Sequence, residues 1–177
     1  AAYTFMLGHP GRKLLFMGQE FAQLREWSEK RSLDWFLLEE PEHKDMQEYV
    51  KKLLHIYKAY PALYTETKGY GAFEWINAND AEPDYKNSVG FVCNFTPVER
   101  PGYCVGVPKP GTYKRILTTE TGDTQVVKYK ALPEECDGKP YRLEMPLRPF
   151  ECVVFEFPKV MKKRKVAKKK QNRTDNL

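Results

Sequence analysis

Long hydrophobic runs are missing from this sequence. No stretch of its 177 residues comes near the ~18–20 apolar residues that a helix needs to span a bilayer, so no membrane partner is expected. Histidine and cysteine are scarce, at three and four residues. None stands at the close spacings of a zinc site, which excludes a structural metal centre of the usual kind. A Gly-rich phosphate loop and a Ser/His/Asp set are absent as well, and no cofactor is expected. The N-terminus has no basic segment followed by an apolar one, so it does not read as a secretory signal. On that reading the chain is cytoplasmic. Cys93, Cys104, Cys136 and Cys152, which allow three disulfide pairings, are then expected as reduced thiols. Cys93 and Cys152 read as strand packing residues, since a free Cys behaves as a small hydrophobe.

What is present is charge, unevenly spread. Three residues in ten are charged, the mean hydropathy is −0.65 and the formal net charge is +5. From Lys159 onward stand nine Lys or Arg and one acid, Asp175. That tail carries +8 and leaves −3 on residues 1–158. Val160, Met161 and Val166 are too few to bury a face, so residues 159–177 are expected as a basic disordered tail. Its one foreseeable partner is a polyanion such as RNA, held weakly and salt-dependently. A nucleic-acid-binding body would need basic residues beyond the tail, and the −3 body lacks them.

The body divides into two blocks. Ala1–Leu7 read as the last turns of a helix, halted by Gly8, Pro10 and Gly11. Leu14, Leu15, Phe16 and Met17, bounded by Gly18, read as a buried strand of a parallel sheet. Such a strand needs parallel neighbours, so the chain is expected to be a fragment. Pro41 and the acids around it mark the start of a helix running from about Glu42 to Ala59 and stopped by Pro61. Met46, Val50, Leu53, Leu54 and Tyr57 form its apolar stripe, with His55 at the boundary.

From Gly71 the period turns to two. Residues 72–76, 88–96, 104–107, 112–118, 125–129, 141–145 and 152–157 read as strands, rich in Val, Phe, Tyr and Thr. The turn segments NAND, TPVERPG, PKPG, TGD, CDGK and RP separate them. The expected fold is thus an α/β end piece over residues 1–68, then an all-β C-terminal sandwich over 69–158.

Between the apolar run and Trp35 lie Gln19, Glu20, Phe21, Gln23, Arg25, Glu26 and Trp27. Loops after the carboxyl ends of parallel strands are where α/β folds bind ligands. Carboxylates, amides, an Arg and a flat ring suit a polyhydroxyl compound. The segment HPGRKLLFMGQEFAQLREWSEKRSLDWFLLEEPEH resembles the eighth-strand region of the glycogen (1,4-α-glucan) branching enzymes, in the α-amylase superfamily (glycoside hydrolase family 13). The likeness runs less evenly through GAFEWINANDAE and NFTPVERPGYCVGVP to about Phe157. It implies the last strand and helix of a catalytic (β/α)8 barrel followed by a C-terminal sandwich. One departure is visible: Asn87–Gly90 joins almost directly to Phe91, where the family has an additional hairpin, which would leave a sheet edge uncovered.

The resemblance further implies an enzyme that moves α-1,4-glucan segments onto 6-hydroxyls, through a nucleophilic carboxylate and an acid/base carboxyl roughly 5 Å apart. In the family those carboxylates and a third, stabilising one lie on earlier strands, so no catalytic residue is assigned to this chain and the fragment is expected to be inactive alone. Its partners would be an α-glucan and the upstream barrel. Gln19 and Trp27 would line the donor-glucan side of the cleft, and Glu20 would stand beside it in a positioning role or in a salt bridge to Arg25 or Arg31. Phe21 and Trp35 would pack beneath. The alternative is a non-catalytic carbohydrate-binding or interaction β-module, which would expose Tyr70, Trp75 and Tyr103 on one sheet face.

Overall fold

The structure, a computed structural model, describes residues 1–64, 73, 88–120, 123 and 125–158. The boundary expected near residue 68, the strand at 72–76 apart from Phe73, the NAND turn, Tyr70, Trp75 and the basic tail lie outside the described residues. No described helix is long and apolar enough to cross a membrane.

Two helices open the chain. The first, α1, spans Ala2–Gly8 and buries Thr4 and Leu7. The second, α2, spans Pro41–Ala59 with Pro41 at its first turn, Glu42 at its positive end and Lys58 at its negative end. Val50 and Leu53 are buried, and Tyr49, Ile56 and Tyr57 pack partly against the cluster that holds Leu53. Leu54 departs from the expected stripe, being 41% exposed. Met46, Tyr49, Val50, Leu53, Ile56 and Tyr57 recur at intervals of three and four, and Leu54 is turned off that line.

Six strands follow among the described residues: β1 Val89–Cys93, β2 Arg100–Val107, β3 Thr112–Thr118, β4 Lys128–Lys130, β5 Tyr141–Leu147 and β6 Cys152–Glu156. They form an antiparallel sheet in the order β1-β6-β3-β4 and a second pair, β2-β5. Strand β2 begins earlier than its sequence suggests. Pro101 and Gly102, read as part of a turn, are absorbed by a register shift between Arg100 and Tyr103. A proline without an N–H fits such a bulge, where no ladder bond is lost. At the outer position of the larger sheet, Gly90 faces Phe155 so closely that a Cβ there would stand 2.3 Å from the ring.

Strand β6 is covered on both faces. Val153 and Phe155 enter the core between the sheets, with Val92, Val105, Val107, Tyr113, Leu143, Met145 and Leu147. Val154 points the other way, into a cluster with Leu7 of α1, Leu53 of α2 and Leu117 of β3. The period of two delivers both sets from one five-residue strand. The helices are fixed on this outer face by two further contacts. Thr4 and Tyr49 hydroxyls meet between α1 and α2, and Tyr60 Oη donates to Glu156 Oε2 at 2.8 Å. Burial, and for Tyr60 also the neighbouring carboxylate, pushes both phenols up to about 12.

The expected strand at 14–17 does not form. Leu14, Phe16 and Met17 are 70%, 47% and 45% exposed, and the segment belongs to no helix or strand. A parallel strand takes its stability from ladders on its two sides and apolar cover on its two faces. The described residues supply no ladder partner for it.

The rotation of α2 has a measurable consequence. Leu53→Ala should cost about 2–5 kcal/mol of unfolding free energy, because it empties a fully packed site. Leu54→Ala should change it by no more than about 0.5 kcal/mol. Urea unfolding of the two variants checks this; equal losses would contradict the orientation.

Candidate functional site

The loop that follows Leu14–Phe16 is tightly built. Met17, Gly18 and Ala22 have φ of 37°, 88° and 56°, so the backbone turns sharply on either side of a 3-10 turn at Gln19–Phe21. Gly18 is required for space as well as for φ, since a Cβ there would stand 2.8 Å from Gln23 Cβ. The turn is anchored by Phe21, which is wholly buried, and by α2, where His43 Nδ1–H donates to the Phe21 carbonyl at 2.8 Å. Because a carbonyl can only accept, Nδ1 carries the proton. Tyr3 Oη of α1 donates to the Gln19 carbonyl at 3.2 Å.

Beyond the turn, one ion pair holds the loop closed. Asp34 is buried and accepts from Arg25 at both carboxylate oxygens, with Nε to Oδ2 at 2.7 Å and Nη2 to Oδ1. Gln23 completes the clasp, its Nε2 donating to the Arg25 carbonyl and its Oε1 accepting from the Asp34 amide, both at 2.9 Å. A bidentate guanidinium–carboxylate pair is directional and strong for its class. Sequence reasoning noted Gln23 and Arg25 as polar loop residues but did not foresee Asp34 as their partner. No local pattern marks it, since Asp34 is buried between a partly buried Leu33 and a half-exposed Trp35, and a buried carboxylate must find a cation wherever the fold brings one.

The residues expected to meet a ligand are distributed around this clasp. Gln19 is exposed, and its Oε1 accepts from the Phe16 amide at 3.0 Å, closing the turn on itself. Trp27 is 41% exposed and stands edge-on to Phe16, with centroids 5.5 Å apart. Trp35 is half exposed and leans on Phe21 at 5.1 Å, so of the pair expected beneath the loop only Phe21 is enclosed. Glu20 is turned toward α2, where it borders an open depression of about 230 Å³ with Gln47, Val50, Lys51, Leu54, His55 and Lys58. Neither Gln19 nor Trp27 borders that depression. The salt bridge expected for Glu20 is not made with either arginine. Arg25 is taken by Asp34, and Arg31 Nη2 donates to the Glu26 carbonyl at 2.8 Å. On the sheets, Tyr103 is 39% exposed.

Chemically, the clasp is a scaffold. Hydrogen bonds from Arg25, with its charge in addition, hold the Asp34 carboxyl below the ordinary carboxylate range. Asp34 is therefore ionised and an acceptor only, and is unsuited to donate a proton. The depressed value also fixes the sign of its pH dependence. The contribution is complete above the ordinary value of about 3.9 and is lost as pH falls through the lower folded value. Tryptophan fluorescence should therefore report loosening of the loop only below about pH 4, and Asp34→Asn should produce it at neutral pH. An Asn variant with the native spectrum and an unchanged acid transition would remove the clasp from the account.

Residues 75–158 match the family described as alpha amylase, C-terminal all-beta domain. The 1,4-alpha-glucan branching enzyme GlgB of Butyrivibrio fibrisolvens is 48% identical over 171 residues, covering 88% of this chain and 27% of that protein. The enzyme of the same name from Gloeobacter violaceus is 39% identical, covering 88% of this chain and 24% of its own. That of Halothermothrix orenii is 35% identical, covering 87% and 27%. The chain thus spans about a quarter of the length of these relatives, in their C-terminal region. By this similarity, carried across both the helical block and the sandwich, the chain belongs to the 1,4-α-glucan branching enzyme family of the α-amylase superfamily.

Proposed function

We propose that this chain is the C-terminal part of a 1,4-α-glucan branching enzyme, which cuts a segment of an α-1,4-glucan and passes it to a 6-hydroxyl. Within that enzyme, residues 14–17 would be the last strand of the catalytic barrel and α2 its last helix. The observation that carries the reading is the exposed apolar strip Leu14–Met17, which leads straight into a loop braced by Arg25 and Asp34. An apolar run with no ladder partner among the described residues, followed by a braced polar loop, fits the last strand of a parallel sheet and its ligand-facing loop. The branching-enzyme relatives are matched over only about a quarter of their length, which fits a piece that carries no catalytic carboxylate pair of its own.

On this reading Gln19 and Trp27 stand at the rim of the donor-glucan cleft. Trp27 would offer its exposed ring to a sugar face, and the Phe16 contact would set its tilt. Glu20 would act at a distance, by fixing the turn against α2. The clasp supplies no step of the reaction; it keeps Trp27 in place.

The test uses the chain alone and joined to the preceding region of the Butyrivibrio fibrisolvens enzyme. Incubated with amylose, the chain alone should leave the iodine absorbance unchanged, and the joined protein should lower it with new α-1,6 linkages. Aromatic stacking on flat ligands is worth on the order of 1–3 kcal/mol. Trp27→Ala in the joined protein should therefore slow transfer by roughly 5- to 150-fold, if the contact is felt in the transition state. Branching by the chain alone would defeat the proposal, and unchanged kinetics in the variant would return Trp27 to a packing role.

A further inference from the structure

Four free thiols are present, and two of them face each other in the sheet. Cys93 of β1 and Cys152 of β6 are the last register pair of that ladder. The next pair along, Asn94 and Glu151, is joined by Asn94 N–H to the Glu151 carbonyl at 2.8 Å. Antiparallel ladders alternate, so Cys93 and Cys152 occupy a non-hydrogen-bonded position, where opposed Cα atoms lie about 4.5 Å apart and side chains approach most closely. That spacing falls within the range of about 4.4–6.8 Å that a disulfide spans. Cys104 and Cys136 have no such alignment. Cys104 is in register with Glu144 and accepts from Arg142 Nη1 at 3.1 Å, and Cys136 lies in an isolated bridge with Lys139.

We propose that Cys93 and Cys152 form a dithiol modification site, which a small-molecule disulfide such as oxidised glutathione converts to a cross-strand disulfide between β1 and β6. Access sets the order of events. Cys152 is wholly buried, whereas Cys93 is half-buried and is the thiol that solvent reaches. Contact with the Cys152 thiol pulls Cys93 below its ordinary value and pushes Cys152 above its own, which favours Cys93 as the attacking thiolate. The Cys93 thiolate attacks one sulfur of the oxidant, breaking its S–S bond, forming a mixed disulfide and releasing one small thiol. Cys152 then loses its proton and attacks the Cys93 sulfur, and the second small thiol leaves. The two protein thiols give up two electrons and two protons, and the oxidant becomes two thiols.

The consequence is mechanical. β1 is the outer strand of its sheet among the described residues, and β6 is the strand covered on both faces. A bond between them would fasten the outer strand to the centre and close a loop through β2, β3, β4 and β5. Reduction would release it.

The experiment treats the full chain with oxidised glutathione in native buffer and in concentrated urea, then alkylates, digests and maps the peptides. The native chain should lose two hydrogens, join the peptides holding Cys93 and Cys152, and leave Cys104 and Cys136 alkylated. Its melting temperature should rise by on the order of 10 °C and fall back with dithiothreitol. Cys93→Ser should show neither the link nor the rise. Four alkylated cysteines after native oxidation, a different linked pair, or the same pair formed as readily in urea would overturn the proposal.

Discussion

Burial of both faces of one short strand holds this molecule together. Cys152–Glu156 sends Val153 and Phe155 into the core between the sheets and Val154 into the cluster beneath the helices. Each cluster alone is modest. Because they share β6, the helical layer cannot lift away without exposing the strand that also organises the sandwich. The pairing of Tyr60 with Glu156 and of Thr4 with Tyr49 closes the same seam with hydrogen bonds between partly buried groups, where an unpaired hydroxyl would be costly.

With the helices set by that seam, the remaining polypeptide has few choices. Residues 14–17 join neither sheet of the described residues, and Leu14, Phe16 and Met17 stay exposed. The loop after it keeps its shape through local means, namely the buried Phe21, the His43 tether and the Arg25–Asp34 clasp. The shape of the loop thus does not depend on strand pairing of the segment before it. Order in the loop and disorder in pairing of the adjacent segment are separate properties, because one rests on side chains and the other on ladders.

Much of this was legible in the amino-acid order. The apolar, β-branched and aromatic composition of Val89–Cys93 and Cys152–Glu156, the stripe of α2 and the prolines that bound it pointed to the right elements, because composition and spacing report which residues can be buried together. Leu54 was misassigned because a stripe of spacing three and four has two edges, and the packing against Leu7 and Val154 chooses between them. The run Leu14–Met17 was read as a strand because hydrophobicity records what a segment is suited to bury, and not whether a partner is at hand. Within the site, the residues of the loop were visible, but the Arg25–Asp34 pairing was not, since eight residues of irregular backbone lie between them and no period links the two. Cys93 and Cys152 were recognised as strand residues; their direct opposition needed the register.

Amide hydrogen exchange tests the central claim most directly, that β6 organises the molecule and residues 14–17 stand outside the sheets of the described residues. In the native chain the amides of Val153, Val154 and Phe155 should be the slowest to exchange, opening only with global unfolding, while those of Leu14 and Leu15 exchange close to the rate of an unstructured peptide. Leu14 and Leu15 protected as strongly as Val154 would contradict the account.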